Sequence, residues 1–125
     1  MRNIKYIVLH CTDTLPSAKV DAILKFWKEK RGWKSPGYHY IIKSNGDVVK
    51  LLDEKNISNG VLGFNENCIN VAYIGGRTKE GKHGDTRTRS QENAMFDKIV
   101  ELIETGPQLD DDPNSLNRSG ILQDL

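Results

Sequence analysis

Three histidines, two cysteines and four tyrosines are the residues of this 125-residue chain best suited to chemistry. His10 closes the apolar run Ile4-Lys-Tyr-Ile-Val-Leu-His10, just before Cys11-Thr12 opens a loop. An imidazole there can ligate a metal or exchange a proton near neutral pH. A lone strand histidine is more often structural, but a strand end opening into a loop is where functional groups gather. Cys11 follows His10 directly, so on a strand the two side chains diverge and make poor co-ligands. Cys11 and Cys68 read as small buried hydrophobes. Tyr38 and His39 are adjacent too, which predicts opposite faces and separate roles, with Tyr38 and Tyr40 sharing one face. His83, in Lys79-Glu-Gly-Lys-His-Gly-Asp85, reads as a solvated loop residue. Asp110-Asp111-Asp112 lacks the alternating ligand spacing of a calcium loop and reads as a solvated acidic run.

The elements that must position these groups follow from pattern. Residues 4–10 read as a buried strand. Ser17 is a candidate helix cap, ahead of Val20, Ile23, Leu24 and Trp27 on one helical face, with Gly32 as the stop. Tyr38 to Lys43 and Val48 to Leu52 read as strands joined at Asn45-Gly46, a hairpin signal that calls for positive φ at both residues. Ile69 to Ile74 is a further strand, closed by Gly75-Gly76. Thr88 opens a second helix, with Gln91 completing a capping box and Met95, Ile99, Leu102 and Ile103 as its apolar stripe. Gly106-Pro107 ends it. The order β-α-β-β-β-α, containing a hairpin, predicts an α/β fold: a central mixed sheet flanked by helices.

Composition sets bounds. The length suits one domain. The net charge is +1, mean hydropathy is -0.57 and charged residues make up 28%, which gives no reason to expect a nucleic-acid partner. No apolar run approaches the roughly 20 residues that span a bilayer. No signal peptide is recognisable, so synthesis in the cytoplasm is expected. Two cysteines exclude a disulfide scaffold. Glu104, Asp110, Asp111, Asp112 and Asp124 gather near the C-terminus against Arg118, leaving a mildly basic body. The expected division is a domain over residues 1–105 and an acidic, loosely held tail over 106–125.

Several stretches together resemble the type-2 N-acetylmuramoyl-L-alanine amidases, a family that includes phage lysozyme-type amidases and peptidoglycan recognition proteins. They are Ile7-Val-Leu-His-Cys-Thr-Asp13, Trp33 with Gly37-Tyr-His-Tyr-Ile-Ile-Lys43, Asn45-Gly46-Asp47, Gly63-Phe-Asn-Glu-Asn-Cys-Ile-Asn-Val-Ala-Tyr-Ile-Gly-Gly76, and Asp85-Thr-Arg-Thr88. The resemblance covers residues 4 to about 103. It implies cleavage of the amide between the lactyl group of muramic acid and the L-alanine of the stem peptide, at the bacterial cell wall. It also implies a zinc ion held by two histidines and a cysteine or aspartate. His10 matches the first histidine ligand and Tyr38 the tyrosine that assists bound water and oxyanion. Trp33, Asn65 and Asn67 fall in stretches expected to contact substrate. Zinc with three protein ligands lowers the pKa of its water to about 7 and polarises the carbonyl, and a phenol can donate to the oxyanion.

The chain departs from that pattern where the other ligands belong. It has no histidine after His83 and no cysteine after Cys68, and Gly60 occupies a loop position where the family often has histidine. Zinc binding is therefore expected to be weak or absent. Three readings follow in order: a truncated amidase of impaired activity, a non-catalytic peptidoglycan-binding module, and a chain in which Asp110 to Asp112 replace the lost ligands. A missing last strand predicts marginal stability, self-association through an exposed sheet edge, or docking of Ile121 to Leu125 in its place.

Overall fold

The computed structural model describes residues 3–61 and 63–104 in full and the backbone of residues 121–124. Five strands and two long helices carry the architecture: β1 (Tyr6–Cys11), α1 (Val20–Lys30), β2 (Tyr40–Ile42), β3 (Val48–Lys50), β4 (Cys68–Tyr73), α2 (Arg89–Glu104) and β5 (Ile121–Asp124). The strands form one sheet in the order β3-β2-β4-β1-β5. β1 pairs in parallel with β4 and β5, β2 in parallel with β4, and β2 antiparallel with β3. The mixed sheet expected from the hairpin is therefore present. Docking of the C-terminal residues is the outcome seen for that segment: Ile121 to Asp124 lie in register against Ile7 to His10. Residues 105–120, with the acidic run, lie outside the described residues. No described helix is long and apolar enough to cross a membrane.

Alternation along the strands sorts the core into two layers. Ile7, Leu9, Ile69, Val71, Tyr73, Tyr40 and Ile42 pack with Met95 and Leu102 of α2. Ile41 and Ile74 pack on the other face with Ile23 and Trp27 of α1. The α2 stripe is as expected at Met95, Ile99 and Leu102. Ile103 instead turns outward, 52% exposed. Gln91, in the first turn of α2, is fully buried and donates from Nε2 to the carbonyls of Ile42 and Ile74. It also completes the expected capping box with Thr88, each backbone N–H bonding the other's side chain at 3.0 Å.

Local chemistry differs from expectation at three places. Ser17 does not cap α1; the boundary falls at Lys19, in extended conformation, with no side-chain cap. Asp21 in the first turn and Lys28 and Lys30 in the last complement the helix dipole instead. At the hairpin only Gly46 takes positive φ, at 93°. The Gly46 N–H bonds the Lys43 carbonyl and the Asn45 side chain accepts from the Asp47 N–H. This is a three-residue loop ending in a left-handed glycine rather than a two-residue mirror-image turn. Finally, β2 begins only at Tyr40, so Tyr38 and His39 precede regular pleating.

Candidate functional site

The end of α1 builds one wall of the site. Gly32 takes φ 64°, turning the chain so that the Trp33 N–H bonds the Trp27 carbonyl at 3.2 Å. The indoles of Trp27 and Trp33 lie 6.0 Å apart, and Trp27 meets the Tyr38 ring edge-on at 5.2 Å. Gly37 makes room for this stack: a Cβ there would lie 3.0 Å from Trp33 and 3.1 Å from Trp27. The Arg31 guanidinium sits over Phe26 and Trp33, at 5.7 and 5.6 Å from their centroids. Phe26, Trp27, Arg31, Trp33, Tyr38 and Asn59 line an open groove of about 630 Å³, whose rim includes Cys11 to Thr14.

His10 lies beside this wall, buried at 4% exposure, with its ring centroid 5.0 Å from that of Tyr38. Alternation on β1 turns His10 to the α1 face and Cys11 toward the α2 layer, as expected for neighbours. Tyr38 and Tyr40, expected on one face, lie on opposite ones. Because β2 starts at Tyr40, Tyr38 swings onto the α1 side with Trp27, while Tyr40 packs in the α2 layer. The Tyr38 hydroxyl donates to the Cys11 carbonyl at 3.2 Å. His39 is fully buried and reaches the same cluster: its Nδ1 accepts from the Asn70 N–H at 3.0 Å, and its Nε2 meets the Asn56 carbonyl at 2.8 Å.

Asn70 ties the cluster together, although the sequence alone does not single it out. Its Oδ1 lies 2.7 Å from His10 Nε2, and its Nδ2 donates to Ser58 Oγ at 2.6 Å. The signal in the sequence is a polar residue inside Cys68-Ile-Asn-Val-Ala-Tyr73, a strand buried along its length. A buried amide is tolerated only when its hydrogen bonds are made.

Trp33 and Tyr38 line the groove, with His10 packed behind Tyr38; Asn65 and Asn67 do not line it. The Asn65 Oδ1 accepts from the Val61 N–H at 2.7 Å and the Asn67 amide donates to the Asn3 carbonyl at 2.9 Å. Both close the loop at the start of β4, where the Lys5 N–H also bonds the Asn67 carbonyl. His83, 75% exposed, sits 3.2 Å from the Asp13 carboxylate, which also receives Arg77. Among the described residues, no three His, Cys, Asp or Glu side chains converge as a metal site. The His10 Nε2 faces the Asn70 side-chain oxygen.

The profile of the N-acetylmuramoyl-L-alanine amidase family matches residues 1–119. The chain belongs to the type-2 N-acetylmuramoyl-L-alanine amidase family. The chain is 34% identical to the endolysin of Escherichia phage T7 over 98 residues, 78% of this chain and 65% of that protein. It is 30% identical to the endolysin of Klebsiella phage KP32 over 97 residues, 77% and 64% of the respective chains. The chain thus spans about two-thirds of the length of the endolysins it matches. In fold, the chain resembles the endolysin of the Thermus scotoductus bacteriophage Ph2119, with TM-score 0.75 and 24% identity over 98% of this chain and 72% of that one. It also resembles peptidoglycan recognition protein LE in complex with tracheal cytotoxin, a monomeric diaminopimelic acid-type peptidoglycan. That TM-score is 0.66, with 21% identity over 85% of this chain and 64% of the other.

Proposed function

We propose that this chain is an amidase-like cell-wall hydrolase domain that binds the muramic acid–stem peptide junction of peptidoglycan in the groove beside His10 and Tyr38. Its hydrolysis of the lactyl–L-alanine amide is impaired. The observation that carries the reading is the groove itself. An aromatic wall of Trp27, Trp33 and Tyr38 runs up to a buried imidazole, in a chain whose family acts on this amide. Aromatic faces suit the apolar faces of sugars and peptide side chains, and Arg31 above Phe26 and Trp33 supplies the cation for a peptide carboxylate. The Tyr38 hydroxyl, now spent on the Cys11 carbonyl, can turn to donate to the carbonyl of the scissile amide.

The expectation of impairment rests on the donor set: among the described residues no three His, Cys, Asp or Glu side chains converge, and ligands for a complete centre would have to come from outside them. A second reading, a module that binds without cleaving, rests on the same donor set. Metal analysis of the dialysed chain tests the point. Zinc well below one ion per chain is expected. One tight zinc that is lost in His10→Ala together with cell-wall lysis would overturn the impaired reading.

A further inference from the structure

We propose that Asn70 is a positioning residue that holds His10 in its Nε2–H tautomer, making Nδ1 the lone-pair nitrogen of the neutral ring. This rests on the reading that His10 works in the groove. Asn70 is fully buried in the middle strand of the sheet, between residues that are themselves 0% exposed. A polar side chain there must find partners or destabilise the core. Asn70 finds them on both sides: its amide NH₂ meets the buried Ser58 hydroxyl, and its carbonyl oxygen faces His10 Nε2. A carbonyl oxygen only accepts, so the ring nitrogen facing it must carry the proton. The Cys68 thiol donates weakly to the same oxygen at 3.7 Å, consistent with that end of the amide being the acceptor.

The surroundings fix the amide in place. The Asn70 N–H bonds His39 Nδ1 and the His39 N–H bonds the Asn70 carbonyl, so one histidine grips the backbone on both sides. His39 is thereby also an Nε2–H tautomer, donating to the Asn56 carbonyl. Gly60 leaves the space the amide fills: a Cβ there would lie 2.6 Å from Asn70 Cγ. Ser58, Asn70 and His10 thus form a buried relay running from the loop before β4 to the groove.

Nitrogen-15 NMR of the histidine-labelled full chain, at a pH where the rings are neutral, reads the tautomers directly. Wild-type His10 is expected to show a protonated-type Nε2 and a pyridine-type Nδ1. Asn70→Leu, which keeps the volume but removes the acceptor, should give a mixture of tautomers. Asn70→Asp, which restores an acceptor oxygen that Ser58 can donate to, should return the Nε2–H form. A merely space-filling Asn70 predicts no change in Asn70→Leu. That result, or a wild-type His10 protonated at Nδ1, overturns the proposal, and the wild-type spectrum decides even if a variant fails to fold. The readout does not depend on peptidoglycan binding, so failure of the functional reading and failure of this inference are separate results.

Discussion

At the scale of single residues, glycines set the site as firmly as the polar groups do. Gly60 has no room for a side chain: its Cβ would also lie 2.7 Å from the Gly37 carbonyl oxygen, a backbone atom that cannot swing aside. Gly60→Ala is therefore expected to lower stability by about 1–3 kcal/mol in urea unfolding. It should also push the Asn70 amide off His10, so that the His10 tautomer signature blurs. Unchanged stability and tautomer would show that the close packing is not there. His10, Tyr38 and Trp33 were legible in the sequence because their positions match a family pattern. Asn70 was not, because its partners Ser58 and His10 lie 12 and 60 residues away and only the folded sheet joins them.

At the scale of elements, strand limits decided which residues meet. Alternation held from Tyr40 onward and failed two residues earlier, which is why Tyr38 and Tyr40 lie on opposite faces. Tyr40 has its own task on the α2 side. Its hydroxyl donates to Glu54, beyond the hairpin, and Lys98 of α2 lies 4.3 Å above its ring. Burial, then the Glu54 carboxylate, pushes the phenol well above its ordinary pKa. Burial alone would raise the Glu54 carboxyl, but the hydrogen bond from Tyr40 and the charge of Lys50 hold it below the usual carboxylate range. Both shifts favour a neutral phenol donating to an ionised carboxylate. A lowered folded pKa at Glu54 contributes stability above the unfolded value, and this is lost as pH falls through the folded one. Tyr40→Phe should accordingly be less stable than wild type at neutral pH, with the gap closing below about pH 4. A gap independent of pH, by thermal unfolding across that range, would count against the pair.

At the scale of the molecule, the sheet is finished by a strand that composition did not reveal. Residues 106–125 read as an acidic tail because polar, Gly and Pro residues dominate them; four residues of strand are too short a signal to stand out. Paired with β1, they cover the edge beside His10. Removing residues 121–125 exposes the backbone of a strand whose Ile7, Val8 and Leu9 are almost wholly buried. The shortened chain should self-associate at concentrations where the full chain does not, as read by light scattering. A shortened chain that remains a monomer of equal stability would show that β5 contributes nothing to closing the sheet. The packing beneath is less forgiving: Leu102→Ala, at a site 1% exposed between α2 and the sheet, should cost about 2–5 kcal/mol.

Co-sedimentation with insoluble peptidoglycan, with the supernatant assayed for released stem peptides, tests the proposed groove beside His10 and Tyr38 most directly. The wild-type chain is expected to sediment, Trp33→Ala to sediment several-fold less, and stem-peptide release to stay close to that of peptidoglycan incubated alone. A wild-type chain that stays in solution like an unrelated control, or one that releases the stem peptides to completion, would contradict it.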